Sequence, residues 1–193
     1  MMRLREWLKA SLAAGLAMGC SDPPPPAASA GLDMNVALAA NPPSGTSCPR
    51  TATYLFGNPA PTPTDQGVPG TDGEQADQRI TCSVRGEGTF QVSGAIDATA
   101  LSFDDQMLTR VRFTLTNATV TAGATGTGSL SIFTPGLSLT SDPASLCTID
   151  VSTPPLAVEP SRIWARYNCR MQDPPGQYCQ VSGVMLFENC LTE

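Results

Sequence analysis

Short runs in which apolar and polar residues alternate fill most of the chain after Cys48, and this period of two most constrains the fold. The run Thr109–Thr116 is the clearest, because Val111, Phe113 and Leu115 share one face while arginines and threonines take the other. Five further apolar faces are formed by Phe90, Val92 and Ile96; Leu130 and Ile132; Cys147, Ile149 and Val151; Ile163, Ala165, Tyr167 and Cys169; and Cys179, Val181, Met185 and Phe187. Glycine and proline separate these runs, and no amphipathic pattern lasts longer than two helical turns. We therefore predict an all-β fold, an antiparallel sandwich with a β-barrel as the alternative.

Six cysteines lie within this part of the chain, at positions Cys48, Cys82, Cys147, Cys169, Cys179 and Cys190. An even number in an exported chain predicts three disulfides, which allow 15 connectivities. Zinc is the alternative for clustered cysteines, but the sequence has no histidine and no Cys-x-x-Cys pair. Disulfides are therefore favoured.

One pairing is preferred from the strand pattern. A hairpin folded about Val158 sets Cys147 opposite Cys169 and Ile149 opposite Tyr167. Cys179–Cys190 is disfavoured, because a continuous strand between them would hold the two ends roughly 30 Å apart.

The first twenty residues have the pattern of a secretory signal. Arg3, Arg5 and Lys9 are positive, and the apolar run 10–18 is too short to cross a bilayer as a helix. The run ends in Leu-Ala-Met-Gly-Cys, followed by Ser21, Asp22 and four prolines at 23–26.

The segment ending in Gly19-Cys20 resembles the lipobox of bacterial lipoproteins, although that family usually has leucine where Ala17 stands. The resemblance implies cleavage before Cys20, lipid on its sulfur and α-amine, and anchoring to the bacterial membrane. The residue after the lipidated cysteine helps to sort such proteins between membranes, and a serine there, as at Ser21, resembles the signal for the outer membrane. The competing interpretation is ordinary secretion with cleavage after Ala30. The mature domain would face the periplasm or the cell surface.

Residues 20–47 are rich in proline, alanine, serine and glycine, and we predict a tether there, with a short helical turn over 33–40. The predicted organisation is a signal peptide at 1–19, a lipidated tether at 20–47 and one β-sandwich at 48–193. An internal similarity joins Gln91-Val-Ser-Gly94 to Gln180-Val-Ser-Gly183, each preceded by a strand and a turn. It fits either a duplicated hairpin or coincidence.

Composition excludes several chemistries. The chain has no histidine, so serine-hydrolase and cysteine-peptidase catalysis lack their usual base. It has no Gly-x-Ser-x-Gly elbow and no phosphate-binding Gly-Lys-Ser/Thr loop. The net charge of -6 disfavours nucleic acid as a partner. We expect no cofactor.

Carboxylates are the remaining catalytic resource, and a glycan hydrolase would need two of them converging on a cleft. The candidates are Asp104, Asp105, Glu87, Glu159 and Glu188. The turn-rich stretch containing Asp72, Glu74 and Asp77 is a weak candidate for a calcium site.

The strand that carries Trp164, the one tryptophan left after signal removal, is a candidate ligand surface. Trp164 lies on the face opposite the core residues of this strand, so it is either exposed to a ligand or buried against a second layer, and burial is the commoner outcome in a sandwich. Arg162 and Arg166 flank it at even spacing and would share its face, as would Arg170. We therefore predict a non-catalytic binding or scaffolding module anchored in the cell envelope, whose partner is an envelope polysaccharide or another envelope protein. A carbohydrate-binding module or a carboxylate-based hydrolase is the alternative.

Overall fold

The computed structural model describes residues 23–39, 47–59, 69–104, 106–173 and 177–192. These residues contain strands and turns but no helix. The strands in chain order are β1 Ser29–Leu38, β2 Ala52–Phe56, β3 Gly70–Thr71, β4 Arg79–Glu87, β5 Thr89–Ser102, β6 Met107–Thr121, β7 Thr125–Thr134, β8 Leu137–Ser141, β9 Cys147–Asp150, β10 Ala157–Glu159, β11 Arg162–Asp173 and β12 Gln177–Glu188.

All the strands pair antiparallel in one sheet. The main path runs β10-β11-β12-β1-β2-β5-β6-β7-β8, and β4 extends it beside β5. Strand β8 returns to pair with β11, and β9 lies between β7 and β11. The strands therefore wrap around one shared interior, which confirms the predicted all-β, sandwich-like single domain.

The interior is filled by the alternating residues that the sequence marks as apolar. Val111, Phe113 and Leu115 of β6 are almost completely buried, whereas Arg110 and Arg112, which alternate with them, point outward. The rings of Phe113 and Tyr167 meet edge to face with centroids 5.5 Å apart. The period of two thus sets which side chains enter the core.

Strand β1 corrects the predicted tether. Ser29–Leu38 pairs with β12 on one side and β2 on the other, and Leu32 and Met34 are fully buried. The predicted helical turn is therefore wrong over 33–38, and the folded domain begins near Ser29. The pattern was weak because alanine, glycine, aspartate and asparagine have low strand propensity, and pairing on both sides overrides it.

The described residues form three disulfides, Cys48–Cys179, Cys82–Cys190 and Cys147–Cys169. The preferred pair, Cys147–Cys169, is confirmed, and so is the predicted register that sets Ile149 opposite Tyr167. The disfavoured Cys179–Cys190 pairing does not occur. The bridges fasten β9 to β11, β4 to the segment after β12, and the segment before β2 to the start of β12.

The two similar Val-Ser-Gly segments both lie on the second strand of a hairpin, β4–β5 and β11–β12. At Gly94 the Phe187 ring occupies the space of the missing side chain, whereas at Gly183 the backbone carbonyl of Asp33 does, with the Tyr167 hydroxyl 3.1 Å away. The Tyr167 hydroxyl donates to the Asp33 carbonyl 3.0 Å away. Gly94 therefore makes room for a core aromatic ring, and Gly183 makes room for the backbone of β1.

Candidate functional site

A groove of about 680 Å³ lies on the outer face of the sheet where β7, β9, β11 and β12 run side by side. Its polar lining residues are Thr125, Thr148, Asp150, Arg166, Asn168 and Ser182. None of the sequence motifs points to this groove as a whole, because its residues come from four separate strands.

Strand register arranges the lining in two rows. In one row Asn168 lies between Ser182 and Thr148. In the other, Arg166 lies between Val184 and Asp150, and Thr125 follows on β7. Since adjacent strands are about 4.8 Å apart, the second row spans roughly 15 Å.

The acid and the base of the groove have different surroundings. Asp150 Oδ1 accepts hydrogen bonds from the Ser152 hydroxyl at 2.6 Å and the Ser152 amide at 2.9 Å. These bonds, followed by the charge of Arg166, lower the pKa of Asp150 below that of an ordinary aspartate. Among the described residues the Arg166 guanidinium has no hydrogen bond or ion pair, and its side chain is exposed.

The other two outward arginines of β11 are engaged. Arg162 Nε lies 3.1 Å from Glu188 Oε1, and the Arg162 guanidinium carbon is 5.5 Å from the centre of the Trp164 ring. Arg170 lies over the ring of Tyr178 at 4.6 Å. Arg166 therefore differs from its two neighbours in being available to a ligand.

The structure decides between the two alternatives for Trp164 in favour of burial, which removes the central residue of the candidate ligand surface. Trp164 is only 3% exposed and packs with Leu156, Val184 and Leu186 in a small apolar cluster on the outside of the sheet. The sequence places Trp164 on the outer face correctly, but the segment that leads to Leu156 covers it. Arg166, two residues further along β11 on the same outer face, remains exposed.

The calcium candidate is also wrong, since its three carboxylates have separate protein partners. Asp72 Oδ1 accepts from the Ile80 amide at 2.7 Å, and Glu74 Oε2 accepts from the Thr71 amide at 3.1 Å. Asp77 pairs with an arginine of β6 at 3.0 Å. No cluster of three metal-binding side chains occurs in the described part of the chain.

The candidate catalytic carboxylates are distributed over strand ends. Asp104 accepts from the Thr53 amide at 2.6 Å, Glu188 pairs with Arg162, and Glu87 ends β4. Glu159 ends β10. None of these four lines the groove. Asp105 and Cys20, the predicted lipidation residue, lie outside the described residues.

Two further surfaces were not predicted. A smaller depression of about 350 Å³ crosses β4, β5 and β6 and is lined mainly by serine and threonine, without a charged side chain. The β5–β6 turn exposes four large apolar side chains, those of Leu101, Phe103, Met107 and Leu108. A period-two pattern cannot reveal either, because each depends on which strands become neighbours.

No protein-family model, curated protein or solved structure matches this chain. Among the described residues no helix is long and apolar enough to span a membrane. The three disulfides are compatible with an extracytoplasmic location, where thiols oxidise and stay paired.

Proposed function

We propose that the protein is a bacterial envelope lipoprotein, held to the membrane by lipid on Cys20, whose disulfide-bonded domain binds a ligand in the groove and does not catalyse a reaction. The observation that carries the proposal is the set of three disulfides, two of which join residues more than 100 positions apart. Such long-range bridges persist in an oxidising compartment and are rare in the cytosol.

The position of β1 favours the lipid anchor over simple secretion. Cleavage after Ala30 would remove the first two residues of β1, and Ala30 is 0% exposed in the core. Cleavage before Cys20 leaves the whole strand intact. The intervening segment up to Ser29 would then hold the domain up to about 28 Å from the lipid if fully extended in polyproline II form.

Binding is favoured over catalysis by the chemistry of the groove. A glycan hydrolase needs two carboxylates, and its acid needs a raised pKa. Asp150 is the one carboxylate that lines the groove among the described residues, and its pKa is lowered. An envelope polysaccharide or another envelope protein remains the proposed partner, facing the periplasm or the cell surface from the outer membrane.

Mass spectrometry of the mature N-terminus, on protein extracted from the envelope, tests the anchor. We expect a chain that begins at Cys20 and carries the mass of a diacylglyceryl group and an amide-linked acyl chain. Cys20→Ala should abolish the lipid and leave the protein out of the detergent phase, whereas the neighbouring control Ser21→Ala should keep both. A mature protein that still begins at Met1 would contradict the proposal. So would one that begins after Cys20 and carries no lipid.

A further inference from the structure

We infer that the ligand of this groove is a saccharide carrying a carboxylate, and that Arg166 binds the carboxylate. The inference rests on the proposed binding function and names its ligand class. It starts from the polar groups of the groove that the protein itself leaves free.

Those free groups can all donate a hydrogen bond, and the hydroxyls can also accept one. The Arg166 guanidinium and the hydroxyls of Thr125, Thr148 and Ser182 have no hydrogen-bond partner in the described chain. Asn168 Oδ1 already accepts from the Gln180 amide, which leaves the Asn168 amide nitrogen as a donor. A ligand rich in acceptor oxygens would complement this lining.

The charged residues of the groove favour a ligand group with one negative charge over a group with two. A guanidinium binds a planar carboxylate through two parallel hydrogen bonds. Asp150 is the cross-strand neighbour of Arg166 and stays ionised, because its pKa is lowered. Its negative charge opposes a second charge on the ligand, so a carboxylate fits better than a phosphate dianion.

The two polar rows favour a sugar over an acidic peptide. A peptide commonly binds by adding a strand to a free sheet edge. Here β12 pairs with β1 and β11, and β9 pairs with β11 and β7, so the groove lies over strands bonded on both sides. The hydroxyls of Ser182 and Thr148 instead match the ring hydroxyls of a saccharide, which both donate and accept.

Affinity should be low. Tyr167 is the one aromatic residue that lines the groove among the described residues, and its ring is buried in the core, so these residues offer no aromatic face for a sugar ring to stack on. We therefore expect a dissociation constant of about 1 mM for a short acidic oligosaccharide.

The test uses the full-length lipoprotein in detergent micelles, labelled with ¹⁵N and titrated with three matched probes. Trigalacturonate has both carboxylates and hydroxyls, its methyl ester keeps the hydroxyls and loses the charge, and triglutamate keeps the charge and lacks the sugar. We expect saturable shifts of the Arg166, Asn168 and Ser182 amides with trigalacturonate, and binding at least about tenfold weaker for each of the other two.

Variants locate the interaction. Arg166→Gln should weaken trigalacturonate binding at least about tenfold, and Arg166→Lys should recover part of it, since lysine keeps the charge without the planar fork. The control is Arg85→Gln, which removes an exposed arginine on β4, away from the groove, and should leave binding unchanged. If Arg166→Gln fails to fold, the Arg166→Lys comparison decides.

Several results would overturn the inference. If the methyl ester binds in the groove as tightly as trigalacturonate, the groove does not recognise the carboxylate of the ligand, although the proposed binding function still stands. Stronger binding of triglutamate would point to an acidic peptide. Equal weakening by Arg85→Gln, or no shift in the groove at about 10 mM probe, would also overturn it. The mature N-terminus tests the envelope anchor independently of all four outcomes.

Discussion

The outward arginines of β6 and of β11 follow the same alternating pattern but have different surroundings. Arg110 Nε lies 2.6 Å from Asp97 Oδ1, and Arg112 Nη2 lies 2.8 Å from Asp97 Oδ2. Arg110 also reaches Asp77 at 3.0 Å. Arg166 of β11 has no such partner in the described chain, although Asp150 is its cross-strand neighbour.

The difference arises one step further along the chain. Ser152, which follows β9, donates two hydrogen bonds to Asp150 and holds its carboxylate in a turn. On the β5–β6 face no hydroxyl or amide of the described residues binds the Asp97 carboxylate, which accepts hydrogen bonds from both arginines. Whether an outward arginine forms ion pairs with other surface residues or is available to a ligand thus depends on what else binds its acidic neighbour.

The disulfides that fasten these two regions should differ most in their effect on stability. Replacing Cys82 and Cys190 by alanine opens a loop of 108 positions beside the ion-paired face, and replacing Cys147 and Cys169 opens one of 22 beneath the groove. From chain entropy we expect losses of about 5 and about 3 kcal/mol. Urea denaturation of the two double variants measures both losses, and a larger loss for the shorter loop would contradict this ranking.

Alanine substitutions at the two core glycines should differ less in their effect on stability than removal of the two disulfides. Here the larger loss is expected at the groove, not at the ion-paired face. A methyl group on Gly183, at the groove, would meet the backbone carbonyl of Asp33, which cannot move without disturbing β1. On Gly94, behind the ion-paired face, it would meet the edge of the Phe187 ring at 2.7 Å, and the ring can shift.

We therefore expect Gly183→Ala to destabilise by about 3 kcal/mol and Gly94→Ala by about 1 kcal/mol. Thermal unfolding of the two variants and the unmodified protein would measure both losses. An equal loss at the two core positions would mean that β1 is less constrained than the pairing indicates.

The arginine comparison itself should give the smallest effects. Asp97→Asn should destabilise by about 1 kcal/mol at neutral pH, because two solvent-exposed guanidiniums lose the partly buried carboxylate that they share. Arg166→Gln should change stability by less than about 0.5 kcal/mol.

The pH dependence has a definite sign. Hydrogen bonds from Arg110 and Arg112 lower the pKa of Asp97 in the folded protein. Its stabilisation is therefore complete above the ordinary carboxyl pKa of about 4 and is lost as pH falls through the lower folded value. Asp97→Asn should remove the part of the acid destabilisation that comes from Asp97. Unfolding curves between roughly pH 2 and 7, a range that spans the titration of carboxyl groups, would measure the difference.

Much of the fold follows from local sequence. The inward residues of β6, β9, β11 and β12 and the Cys147–Cys169 bridge could be predicted because alternation and one hairpin determine them. Strand β1 could not, because its weak strand formers are ordered by pairing with β2 on one side and, on the other, with partners in β12 more than 140 positions away.

The candidate site was predictable only in part. The outward direction of Arg166 follows from its even spacing to Trp164. The burial of Trp164 under the segment ending at Leu156, and the neighbourhood of Arg166 and Asp150, depend on contacts between separate strands. One sequence does not encode those contacts as a local pattern.

The most direct test of the central claim, an exported domain closed by three specific bridges, is a disulfide map. The protein should be purified from the envelope without reductant, alkylated, digested and mapped by mass spectrometry. We predict Cys48–Cys179, Cys82–Cys190 and Cys147–Cys169 with no alkylated cysteine among the six. A Cys179–Cys190 peptide, or several alkylated thiols in the folded protein, would contradict the account.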